Sequence, residues 1–158
     1  MTSGPFPFEA NPNPVDTAER AARLVDPGFG RVFTDHMVTI RYSDAKGWHD
    51  AKVGPRAPLT LDPATAVLHY AQEIFEGLKA YRLADGTMAL FRPEQNARRF
   101  QRSAKRLAMP ELPEEMFLQA CKQLVQVDKD WFPPVDGGSI YLRPFMIASE
   151  VFLGVKPS

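Results

Sequence analysis

The chain has 158 residues, 19 Lys and Arg against 19 Asp and Glu, 44% apolar residues and a single cysteine, the make-up of one ordinary globular domain. Zero formal net charge argues against a dedicated nucleic-acid or anionic-membrane binder, which would carry a basic excess. One cysteine excludes an internal disulfide framework and fits a reducing compartment. The opening residues MTSGPFPFEANPNP lack a basic segment followed by an apolar run, so no secretory signal is expected. No stretch reaches the roughly 18 apolar residues of a membrane span. A cytoplasmic location is the expectation.

Residues 1–31 are rich in Pro, Asn and Gly and predict an extended arm with a short helical turn around Thr17–Leu24. Phe29, between Gly28 and Gly30, is expected to plug an apolar hole. Val32–Tyr42 alternates and predicts a strand; its His36 has no second ligand at metal spacing and reads as structural. Ser43–Pro58 predicts an irregular excursion holding a short strand at Trp48–Val53. Asp62-Pro63 predicts the N-cap and first turn of a helix reaching Tyr70. Gly77–Leu83 and Thr87–Phe91 predict a hairpin across Ala84-Asp85-Gly86.

Pro93 opens a helix with an apolar stripe of Ala97, Phe100, Ala104 and Leu107. Arg98, Arg102 and Lys105 fall on its solvated side, whereas Arg99 sits at the border of the stripe, within reach of a pocket between helix and sheet. Pro113 through about Asp130 predicts a second helix, with Phe117, Leu118, Cys121, Leu124 and Val125 on its apolar arc and Cys121 as a small buried hydrophobe. Trp131–Gly138 reads as a loop. In Ser139–Val155, SIYLRPFMIASEVFLGV, strand alternation puts Tyr141 and Arg143 on one face and Ile140, Leu142 and Met146 on the other. Adjacent helices and hairpin strands predict an α+β fold, two main helices on a largely antiparallel sheet.

Phosphate-loop, dinucleotide and nucleophile-elbow motifs are absent, and His36, His49 and His69 are not at metal spacing, so no metal site is expected. What stands out is a cationic and aromatic set: Tyr70, Phe75, Arg99, Tyr141 and Arg143. Arginine forks match carboxylate and phosphate, and tyrosines add hydrogen bonds and apolar walls. Each of these residues also has an ordinary structural role open to it, and the residue types alone leave the choice open.

Three stretches, LHYAQEIFEGLKAYR, LFRPEQNARRFQRSAKRLAMP and SIYLRPFMIASEVFLGV, closely resemble branched-chain amino-acid aminotransferases, which are fold-type IV pyridoxal-phosphate enzymes. The likeness runs from about Phe29 to the last residue. It implies the α+β small domain of that fold at 32–153, preceded by an arm at 1–31 and followed at 154–158 by the start of an interdomain linker. The implied activity is reversible amino transfer between L-leucine, isoleucine or valine and 2-oxoglutarate, giving branched 2-oxo acids and L-glutamate. Pyridoxal 5'-phosphate is the implied cofactor, a homodimer the implied assembly, with no nucleic-acid or membrane partner.

By the same resemblance, Arg99 grips the cofactor phosphate. Tyr70, Phe75 and Tyr141 line the substrate pocket, and Phe29 caps it from the arm. Arg143, with Tyr70, receives the side-chain carboxylate of glutamate. Leu153 and Val155 reach into the partner subunit's site. The Schiff-base lysine and the acid facing the pyridine nitrogen belong to the family's second domain. None of Lys46, Lys52, Lys79, Lys105, Lys122, Lys129 and Lys156 lies in a match to the family's catalytic segment. No catalytic residue is therefore expected in this chain, which would be inactive alone. The alternatives are another fold-type IV activity (a D-amino-acid aminotransferase or an aminodeoxychorismate lyase) or a non-catalytic binding module.

Overall fold

In the computed structural model, which describes residues 4–134 and 137–156, local sequence signals set most element ends. Asp16 caps α1 (Thr17–Arg23) by accepting from the Glu19 amide at 2.9 Å. A turn ending in Gly47, at φ +64°, joins β1 (His36–Ser43) to β2 (Gly47–Pro55). Then come α2 (Ala66–Tyr70), β3 (Glu73–Phe75), β4 (Leu78–Arg82), β5 (Met88–Leu90), α3 (Pro93–Arg106), α4 (Glu114–Val127), a 3-10 turn (Lys129–Trp131), β6 (Ser139–Leu142) and β7 (Phe145–Ile147). All strand pairs are antiparallel: β1 with β2, β3 with β7, and β4 between β5 and β6. The mixed α+β architecture is the predicted one. Among the described residues no helix is long and apolar enough to cross a membrane.

The core lies between the two long helices and the β4 sheet. Ala97, Phe100 and Ala104 of α3 meet Phe117, Cys121 and Val125 of α4 over Leu78, Ala80 and Leu142. The Phe100 and Phe117 rings stand 5.6 Å apart. Full burial of a large side chain of this kind contributes about 1.5–3 kcal/mol. Cys121 is buried as expected, and burial pushes its thiol up to about 12. Leu107, placed in the apolar stripe from sequence, is 40% exposed, because α3 ends at Arg106 and Leu107 is its C-cap.

Three other expectations change. Asp62 does not cap α2. Its side chain accepts from the Ala64 amide at 2.7 Å and its carbonyl from Thr65, closing a separate turn. Thr65 is the N-cap, and the first helical amides, Ala66 and Val67, donate to the carbonyls of Glu150 and Ala148 instead. Ser43–Pro58 is mostly regular strand rather than an irregular excursion, because β2 pairs with β1 from Ser43↔Gly47 to His36↔Pro55. The strand predicted from Ser139 is interrupted at Arg143-Pro144, where proline has no N–H to donate. Pairing nevertheless advances residue for residue from Glu73↔Ile147 to Tyr81↔Ser139, so β3–β4 and β7–β6 form one ribbon. Within the gap the Glu76 amide donates to the Pro144 carbonyl at 2.8 Å.

The arm is extended but tied down. Buried Gln123 accepts from the Phe6 amide and donates to the Phe6 carbonyl, at 3.0 and 2.8 Å. Buried Asp35 accepts from the Val15 amide at 3.0 Å and from Trp131 Nε1 at 2.8 Å. His36 is structural, as read: Nδ1 lies 2.7 Å from Asp128 and Nε2 accepts from the Asn11 amide. Residues 1–3 of the predicted arm, 135–136 of the predicted loop and 157–158 of the predicted linker lie outside the described residues.

Candidate functional site

The ribbon sorts its side chains by alternation. Ile74, Glu76, Leu78 and Ala80 face the core and are buried. Phe75, Tyr141, Arg143 and Phe145 face outward and are exposed. A glutamate on the core-facing side therefore has to find partners, because an unpaired buried charge is costly.

α3 supplies them. Arg99 forks onto Glu76, with Nε donating to Oε1 at 2.5 Å and Nη2 to Oε2 at 2.7 Å. Asn96, one turn earlier on the same helix face, donates from Nδ2 to Glu76 Oε2 at 2.8 Å and to the Gly77 carbonyl at 3.2 Å. Burial pulls the Glu76 carboxyl upward. The hydrogen bonds from Arg99 and Asn96 and the charge of Arg99 outweigh it and hold the group below the usual carboxylate range. The same hydrogen bond and charge raise Arg99. The Glu76 side chain is 2% exposed and that of Arg99 60%. Arg99 also lines a surface dent with Arg102, Ser103, Lys105 and Arg106. Guanidinium, ammonium and hydroxyl donors in one dent are the donor set for a phosphate.

On the outward face, Tyr141 lies across Gly77. A Cβ at Gly77 would come within 2.0 Å of the phenol oxygen, so only glycine leaves room for the ring. Arg143 donates from Nη2 to the Tyr141 hydroxyl at 3.0 Å and stacks over Phe75 at 4.6 Å. Phe29 meets the Tyr141 ring edge-on at 5.0 Å. It is 71% exposed, so it does not plug a hole in the core but sits over the outward face. Phe29, Phe75, Tyr141 and Arg143 thus come from three segments to one place, with Arg99 joined to them through Glu76-Gly77. The result is an aromatic surface with a cation held at its edge.

The other predicted residues lie on other elements. Tyr70 ends α2, where Ala71 at φ +50° turns the chain into β3, and its ring packs on His69 at 6.2 Å between centroids. The hydroxyl that receives Arg143 is that of Tyr141. Leu153 and Val155 are exposed on a segment that folds back along α2: the Phe152 amide donates to the Ala64 carbonyl at 3.1 Å, and Lys156 pairs with Glu150 at 2.8 Å. Glu76, Asn96 and Gly77 were not singled out from sequence. The signal for Glu76 was present, as the one charged residue in the alternation Ile74, Glu76, Leu78, Ala80.

No family model matches the chain. A probable branched-chain-amino-acid aminotransferase of Streptomyces coelicolor is 58% identical over 159 residues, spanning 100% of this chain and 44% of that protein. The branched-chain-amino-acid aminotransferase of Mycolicibacterium smegmatis is 58% identical over 161 residues, with the same two coverages. Branched-chain-amino-acid transaminase 1 of Bacillus subtilis is 54% identical over 131 residues, 83% of this chain and 37% of that protein. Among solved structures, the Escherichia coli branched-chain amino acid aminotransferase superposes with a TM-score of 0.52 at 24% identity, over 63% of this chain and 31% of that one, a likeness of fold. The chain spans less than half the length of the curated relatives it matches. Along its whole length the chain is similar to the N-terminal part of branched-chain-amino-acid aminotransferases.

Proposed function

We propose that this chain is the N-terminal part of a pyridoxal-phosphate-dependent branched-chain aminotransferase, exchanging amino groups between L-leucine, isoleucine or valine and 2-oxoglutarate. The observation that carries the proposal is the outward cluster, where Arg143 rests between Tyr141 and Phe75. Such an enzyme must admit an apolar side chain in one half-reaction and a carboxylate in the other. Aromatic walls serve the first, and a guanidinium at the rim serves the second. With an apolar substrate, Arg143 keeps its aromatic and phenol contacts, so its charge is not stranded; a cation over a ring gains about 0.5–2 kcal/mol.

The remaining roles follow on the same reading. Arg99, with its Nε–Nη2 edge on Glu76, would hold the cofactor phosphate on its outer edge, in the dent that carries Arg102 and Ser103. Bound pyridoxal phosphate supplies the electron sink for carbanion chemistry. Phe29, Phe75, Tyr70 and Tyr141 wall the substrate, and Leu153 and Val155 serve the partner subunit's site in a homodimer. In this reading 1–31 is an arm, 32–153 the small domain and 154–158 the start of a linker to the domain that bears the lysine.

The test uses the full-length protein. Leucine-dependent formation of glutamate from 2-oxoglutarate, with pyridoxal absorbance on the purified protein, is the expected result. Absence of both overturns the proposal, and turnover of D-alanine in place of L-leucine moves the assignment to another fold-type IV activity.

A further inference from the structure

Glu76 is the one acidic side chain of the ribbon's core face, and its carboxylate is saturated by Arg99 and Asn96. Its own backbone is fixed as well, because the amide donates to Pro144 across the strand break. Glu76 is thus held by the sheet on one side and holds α3 on the other. Arg99, by contrast, has a long side chain that is 60% exposed. Left alone, such a side chain samples many rotamers, and fixing it on a ligand costs conformational entropy. The fork removes that freedom beforehand. A guanidinium is planar, so with Nε and Nη2 on Glu76 the opposite edge points away from the carboxylate.

We propose that Glu76 is a positioning residue for phosphate binding: it sets the direction and rotamer of the Arg99 guanidinium, which in turn meets the cofactor phosphate. The proposal rests on the functional reading above, in that the phosphate is that of pyridoxal phosphate. Electrostatics alone predicts the opposite sign. Glu76 is an anion next to an anion site and offsets the Arg99 charge, so removing it should strengthen phosphate binding. Positioning predicts that removing it weakens binding. Arg102, Lys105 and Arg106 keep the dent cationic without Arg99's net charge, which lets Arg99 act through geometry.

The test is the equilibrium affinity of the full-length apoprotein for pyridoxal 5'-phosphate, read from the cofactor's absorbance, in a cycle of wild type, Glu76→Gln, Arg99→Ala and the double variant. Glu76→Gln should weaken binding about tenfold in the wild-type background and not at all once Arg99 is alanine. Unchanged or tighter binding in Glu76→Gln overturns the proposal. So does an equal loss in both backgrounds, which is the mark of a merely structural residue. Should Glu76→Gln fail to fold, Glu76→Asp keeps the charge but withdraws the carboxylate, and carries the same expectations in the two backgrounds. If wild-type protein binds no pyridoxal phosphate, the functional reading falls and this proposal with it; if wild type binds and the cycle is additive, only the positioning role falls.

Discussion

The two faces of the ribbon formed by 73–82 and 139–147 differ in kind. On the inner face Glu76, Arg99 and Asn96 satisfy one another among packed apolar side chains. On the outer face Phe29, Phe75, Tyr141, Arg143 and Phe145 present aromatic area to solvent, with Phe75 and Phe145 directly opposite each other in register. The inner face completes itself, and substitutions among its apolar side chains are felt as stability. The outer face carries large apolar side chains with little packed over them, and its substitutions are felt as binding. Large exposed apolar patches mark interaction sites, and this one has a cation built into it.

The largest break in that contrast comes from the inner face. Leu142→Ala should cost about 2–5 kcal/mol of unfolding free energy in urea titration, whereas Phe145→Ala, three residues on and facing outward, should stay within about 0.5 kcal/mol. Next, Gly77→Ala pushes a methyl into the Tyr141 phenol and should cost about 1–3 kcal/mol. It strikes the outer face as well, so substrate affinity should fall with stability, a coupling that Phe145→Ala lacks.

A smaller effect is set by pH. The folded-state pKa of Glu76 lies below its ordinary 4.5, so ionised Glu76 favours the folded state above that value. The contribution is lost as pH falls through the folded-state value. Wild type should therefore exceed Glu76→Gln in stability near neutrality and converge with it in acid. The gap will be modest, because Arg99 is largely solvated and its attraction is screened. Smallest in energy is Cys121, buried and pushed up to about 12. At pH 8 a thiol reagent should label it only as fast as the native protein opens.

Much of this was written locally in the chain. Pro93 starts α3, Asp85-Gly86 turns the β4–β5 connection with Asp85 accepting from Thr87, and the stripe through Ala97, Phe100 and Ala104 is buried. Local signals also misled. Asp62 resembles a helix cap, but its side chain closes a turn two residues on, and the helix waits for carbonyls from 148 and 150. The arm looked loose because its anchors, Gln123, Asp35 and Trp131, are distant in sequence and mostly polar. Tyr141 and Arg143 were legible from strand alternation, because the register continues unchanged across the Arg143-Pro144 interruption. Glu76 was missed because the strand was read as starting at Gly77, which left the glutamate in a junction. Continued back to Ile74, the same alternation puts it on the buried face, where a carboxylate needs an arginine.

On the proposed reading, the outward cluster serves both an apolar and an acidic substrate through Arg143. The direct measurement is the pair of single-turnover half-reactions of full-length Arg143→Ala, with L-leucine and with L-glutamate. The expected result is a loss of roughly 100-fold in the glutamate half-reaction, on the scale of an unpaired buried polar group, and a change of only a few-fold with leucine. Equal losses in both would contradict it.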